Sequence, residues 1–178
     1  MKKEILKRLI PAIAFLGLLS LLNYQYRLQL VGLWVGGLIG AFLLDFDHLI
    51  YCFWQNPHEF TPQRLKRFLE QRQYRYGLEL IFETQGERKK LIFHSILFQL
   101  ILLVMVFFVL SSSAGLLGKG LVLVLFLQTL ISQFEEFLRT GQMDSWFWQV
   151  QLDLPNNFQA LYLLMIFLIF FGFSLFLV

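Results

Sequence analysis

The sequence predicts an all-α integral membrane protein with about five transmembrane helices and a cytoplasmic helical hairpin between spans two and three. Three observations lead there. Hydrophobic residues make up 57% of the 178-residue chain and charged residues only 15%, which is far more apolar than a soluble domain of this length. The apolar residues gather in uncharged runs long enough to cross a bilayer, which takes roughly 17 to 25 residues. The charges are bunched, with Lys and Arg concentrated before the first run and between the second and third.

The chain opens on "MKKEILKR", and Leu9–Tyr26 follows as the first span. A basic start before an apolar run also fits a secretory signal. This run is long and no small-residue cleavage site closes it, so an uncleaved first helix is expected. Leu28–Leu44 forms the second span. Residues 55–90 are the sizeable polar part of what reads as one membrane domain, 1–178, and are expected to form a cytoplasmic amphipathic helical insertion. Thr61-Pro62 is a helix start, an N-cap followed by Pro in the first turn. Leu65, Phe68, Leu69 and Tyr76 then recur at helical spacing opposite Arg64, Lys66, Arg67 and Arg72, and a second apolar stretch begins at Gly77. These features describe either a hairpin whose basic face contacts anionic lipid headgroups or a solvated connector whose charge fixes topology.

Beyond the hairpin lies the apolar run Leu91–Leu117. A turn around "SSSAGLLGKG" ends it, so that Leu116–Phe134 becomes the fourth span and Leu154–Val178 the fifth. The basic residues orient the set. Lys2, Lys3, Lys7 and Arg8 precede span one, and eight Lys or Arg residues from Arg64 to Lys90 separate spans two and three, whereas Arg27 and Lys119 stand alone in their connections. The positive-inside rule then predicts a multi-pass protein of the cell membrane, an inner membrane in a cell that has two, with the N-terminus cytoplasmic and the C-terminus outside. In that topology the ends of spans two and four and the start of span three reach the same cytoplasmic face.

Several function classes are excluded early. The basic segment carries no nucleic-acid module or interleaved aromatic platform, so no nucleic-acid partner is expected, and membrane lipids are. There is no phosphate-binding glycine pattern and no internal repeat. A lone Cys52 makes neither a disulfide nor a zinc knuckle and reads as a packing residue. Trp146, Phe147 and Trp148 suit an interfacial aromatic belt, and Gly141 a helix end.

The chemistry concentrates at the cytoplasmic margin. Asp45, Asp47 and His48 close the second apolar run, His94 and Ser95 open the third, and Gln128, Ser132, Gln133, Glu135 and Glu136 end the fourth. Carboxylates and imidazoles at the edge of a hydrocarbon span are costly unless they pair, protonate or hold a cation. Carboxylate oxygen and imidazole nitrogen are also the donor set of zinc or manganese, and such a site can lower the pKa of bound water for hydrolysis. Asp45 and His48, three residues apart, share a helix face, whereas Asp47 points away unless the helix breaks near Leu44.

These residues resemble the LexA-regulated, membrane-bound metal-dependent hydrolases, which carry "G-x-L-x-P-D-x-D-H", then "H-R-x-x-T-H-S", then "H-x-x-x-D" on successive helices. Here the first motif reads "GAFLLDFDH", Gly40 to His48, with Leu44 in place of Pro. The second reads "KKLIFHS", which keeps His94 and Ser95 but has Lys89, Lys90 and Phe93 where the family has His, Arg and Thr. The third reads "QTLIS", with Gln128 and Ser132 at the ligand positions. The motifs cover about two dozen residues. The resemblance implies a diverged hydrolase acting on a lipid-associated ester or phosphoester. Asp45, Asp47, His48 and His94 would hold a divalent metal, and Asp47, Glu135 and Glu136 would be the catalytic carboxylates. Two other readings stand beside it: a catalytically silent membrane scaffold of the same fold, in which Arg88 or Lys89 neutralises the carboxylates, and a small ion-coupled transporter using Asp45 and Asp47 as a relay.

Overall fold

The computed structural model describes residues 2–22, 30–84, 91–150 and 155–175. Among these residues the chain is helical, with no strand: α1 (Lys2–Leu22), α2 (Leu30–Leu43), α3 (Phe46–Ile50) running on into a π-helical turn (Tyr51–Gln55), α4 (Phe60–Glu70), α5 (Tyr74–Glu83), α6 (Ile96–Ser111), α7 (Leu116–Thr140) and α8 (Asn156–Leu175). Four stretches are long and apolar enough to cross a membrane: Ile5–Leu22, Leu30–Gln55, Leu116–Thr140 and Asn156–Leu175.

The remaining apolar helix, α6, has 16 residues, so it is about 24 Å long at 1.5 Å per residue, short of a hydrocarbon core of about 30 Å. The apolar run expected to form this span is therefore longer than its helix. At its start, Leu91–Ser95 is not helical, and Ser95 caps α6 by accepting from the Phe98 N–H. At its end, the backbone leaves the helix in the serine turn and restarts at Leu116. The fourth apolar run extends in turn past its expected end at Phe134 to Thr140, where Gly141 closes α7 in the left-handed conformation, φ 72°.

The helices are joined first by backbone contact. Gly36, Gly40 and Gly120 place the α2 and α7 backbones, which run parallel, in direct contact: a Cβ on Gly36 would overlap the Leu117 carbonyl oxygen, one on Gly40 that of Leu121, and one on Gly120 that of Leu33. Spacing of small residues by four along "GLWVGGLIG" gives α2 one flat side, the arrangement lipid-embedded helices use for close approach. Gly37 opens a neighbouring side to α1, where its Cβ would come within 2.7 Å of Leu16 Cδ1. Around this centre Leu33, Leu102, Leu123 and Phe126 are wholly buried, and Phe170 of α8 stacks on Phe126 at 5.6 Å. The outer faces of α1, α6 and α8 expose large apolar side chains such as Leu21, Phe108 and Leu168, as expected of helices in lipid.

Two short helices, α4 and α5, pack together within the segment 55–90. The first starts one residue before Thr61: Glu59, in extended conformation, is the residue before α4, and Thr61 lies inside the first turn, where Pro62 still costs no helical hydrogen bond. Leu65, Leu80 and Ile81 fold the pair onto Tyr51 and Cys52 of the π-helical turn, and Cys52 is a packing residue.

Adding one methyl group at Gly36 should separate α2 from α7. Gly36→Ala is expected to destabilise the detergent-purified protein by about 2 kcal/mol or more, in the upper part of the overpacking range. Gly17→Ala, where a Cβ would meet nothing within 4 Å, should be neutral within about 0.5 kcal/mol. Thermal unfolding of the two variants beside the parent checks this.

Candidate functional site

α1 begins, α2 and α7 end and α6 starts at one end of the bundle, and the polar residues of all four meet there. The α2 helix does break near Leu44, but the break does not bring Asp47 onto one site with Asp45. The backbone turns at Leu44 and Asp45 through three-residue bonds, Asp45 N–H to Phe42 O at 3.0 Å and His48 N–H to Asp45 O at 3.2 Å, before α3 resumes. The kink sends Asp45 and Asp47 to different partners.

Asp47 is fully buried and serves as an anchor for the start of α6. Its Oδ1 accepts from the Ile92 N–H at 3.2 Å, and its Oδ2 from the Phe93 N–H at 2.6 Å and the His94 N–H at 3.2 Å. His94 Nδ1 is 3.3 Å from the same Oδ2. Successive amides aimed at one carboxylate form a concave anion site, and an ionised acceptor strengthens each bond. They hold residues 92–94 in the bend that precedes α6. The other side of this segment is held by tryptophans. The Ile96 N–H donates to Trp146 O at 3.0 Å, and Trp148 Nε1 donates to Leu91 O at 3.1 Å.

Asp45 faces Arg8 of α1, with a guanidinium nitrogen 3.5 Å from Oδ1, an ion pair rather than a close hydrogen bond. Arg8 also donates to Ser132 Oγ at 2.8 Å, and its carbonyl accepts from Gln128 Nε2 at 2.8 Å. One arginine thus reaches the end of α2 and two polar residues on one face of α7. Lys7 pairs with Glu135 at 2.7 Å in more exposed surroundings. Glu136 turns elsewhere, accepting from Ser145 and from Trp146 Nε1 at 3.1 Å.

The expected metal residues are therefore neighbours without forming one centre. His48, almost fully buried, lies with its ring 5.7 Å from that of His94, which touches Asp47 and packs against Trp146 at 5.4 Å. Asp45, Glu135 and Glu136 each face a different partner. Among the described residues no three His, Cys, Asp or Glu side chains form a group able to hold a metal ion. At Asp47 the two lone pairs of Oδ2 are taken by the Phe93 and His94 amides, whereas Oδ1 accepts from the Ile92 amide alone. Arg88 and Lys89, the expected counter-ions of the scaffold reading, lie outside the described residues.

Two further features differ from expectation or were not legible beforehand. Trp146 and Phe147 do not form a belt facing lipid, because their rings are buried with Ile96 and Met143. Deeper in the bundle, Gln99 and Gln133, both fully buried, exchange amide hydrogen bonds at 2.9 and 2.7 Å, and the Tyr162 hydroxyl donates to Gln99 Oε1 at 2.6 Å. This network joins α6, α7 and α8. One turn earlier on α8, Gln159 accepts from the Met143 N–H at 2.6 Å and donates to Asp144 at 2.9 Å. Glutamines in an otherwise apolar run are the sequence sign of such interhelical bonds.

No family model matches the chain, and neither the curated proteins nor the solved structures contain a match.

Removing the Asp47 carboxylate should strand three amide donors. Asp47→Ala is expected to cost about 3 kcal/mol or more, since each amide left without an acceptor costs about 1 to 3 kcal/mol. Asp47→Asn, which keeps an acceptor oxygen, should cost about 1 to 3 kcal/mol. Hydrogen exchange at the amides of Ile92, Phe93 and His94 should accelerate in both variants, and more in Asp47→Ala.

Proposed function

We propose that this chain is a catalytically silent membrane scaffold, in which carboxylates that could have served a metal centre instead join helices. The observation that carries this reading is the Asp47 carboxylate, fully buried and bound to three consecutive backbone amides. Arg8 supports it, since a cation supplied by the chain stands between Asp45 and Ser132. In this reading the protein crosses the membrane five times, with α6 reaching the polar end through the non-helical Leu91–Ser95. The N-terminus and the α4–α5 hairpin lie on the cytoplasmic side and the C-terminus outside, as the distribution of Lys and Arg favours.

A second reading, the metal-dependent hydrolase of lipid-associated esters, is favoured by the two imidazoles of His48 and His94 beside Asp47. A divalent ion bound there would supply an activated water at neutral pH. The two readings differ in bound metal. Protein purified in detergent, reconstituted with zinc or manganese and then desalted, should retain far less than one ion per chain, with Asp47→Asn/His94→Ala indistinguishable from the parent. Near-stoichiometric metal in the parent that is lost in the double variant would overturn the scaffold reading in favour of the hydrolase.

A further inference from the structure

The α4–α5 hairpin carries cations that nothing else in the described structure uses. Arg64, Lys66, Arg67, Arg72 and Arg75 are all exposed, and none forms an ion pair among the described residues. Between Phe60 and Tyr76 the only acidic residue is Glu70, so this part of the hairpin is strongly positive.

Large apolar and aromatic side chains flank the same cations. Trp54 is 84% exposed and Phe53 53%, at the end of the Leu30–Gln55 span, and Phe60, opening α4, is 74% exposed. Arg64 lies over the Phe60 ring, its guanidinium carbon 5.5 Å from the ring centre. Tyr74 and Tyr76, beginning α5, are also exposed. Exposed aromatic rings beside the end of a membrane span belong at headgroup depth, and Arg or Lys side chains there reach up to lipid phosphates. The turn between the two helices is unusual in the same sense. Arg72 adopts the left-handed conformation, φ 57°, where glycine or asparagine would be unstrained, so a cation is held at a position whose backbone favours another residue.

We propose that the hairpin is a docking surface for anionic phospholipid, with Trp54 and Phe60 seated in the interfacial layer and Arg64, Lys66 and Arg67 on lipid phosphates. Complementary charge argues for this occupant, because an unneutralised basic face beside a membrane span meets the negative surface of a cytoplasmic leaflet. The proposal does not depend on whether the polar end of the bundle holds a metal.

The test is native mass spectrometry of the full chain in detergent, offered equal amounts of phosphatidylglycerol and phosphatidylcholine. The parent should retain phosphatidylglycerol in excess by about fivefold or more, the factor one well-placed cation supplies at a membrane surface. Arg64→Gln/Lys66→Gln/Arg67→Gln should bring retention close to parity, whereas Lys119→Gln, outside the hairpin, should keep the excess. Equal retention of the two lipids by the parent would overturn the proposal, and so would an excess that survives the triple substitution.

Discussion

The parallel contact of α2 with α7 is the interaction on which the rest of the structure depends. Lipid gives apolar helices little reason to prefer one another over acyl chains, so their association relies on close packing and on polar bonds between helices. At Gly36, Gly40 and Gly120 the packing is backbone on backbone, which leaves no freedom to slide. That register brings Asp45, just beyond the end of α2, level with Ser132 on α7, and lets one arginine from α1 reach both. Because α6 runs back along α7, its first residues arrive beside Asp47 at the same end.

With the helices held at that register, several of the buried polar groups find partners within the chain. Asp47 takes the amides that open α6, Gln99 and Gln133 complete each other with Tyr162 above them, and Glu136 receives Ser145 and Trp146. An unsatisfied polar group in a bilayer costs several kcal/mol, so these bonds act as restraints on which helix faces which. Asp47 also holds the bend ahead of α6, where the amides of residues 92–94 meet the carboxylate before Ser95 caps the helix.

Much of this was legible in the sequence. The apolar runs located the long helices and Gly141 marked a helix end. A break near Leu44 reads from the sequence as the way to bring Asp47 round to Asp45, whereas the break that is present leaves the two on different partners. Local pattern failed where long-range contacts decide. Leu91–Ser95 looks like the start of a span and is held in a bend by a carboxylate 45 residues earlier in the chain. Trp146 and Phe147 have the composition of an interfacial belt, yet the buried ring of Trp146 is needed against His94. Nothing in the sequence singles out Arg8, which ends a basic run like any other, as the cation of the polar end. The four-residue spacing of Gly32, Gly36 and Gly40 was the one available sign of the α2–α7 contact.

If the chain itself supplies the counter-charge at its polar end, Arg8 and Asp45 must be energetically coupled. A double-mutant cycle on Arg8→Gln and Asp45→Asn, read by unfolding in detergent, tests it most directly. Arg8 and Asp45 are each only 18% exposed, so their interaction is weakly screened. The account predicts a coupling of at least about 1 kcal/mol, with the double variant less destabilised than the sum of the singles. Strict additivity would contradict it, because Arg8 would then not be the partner that holds Asp45.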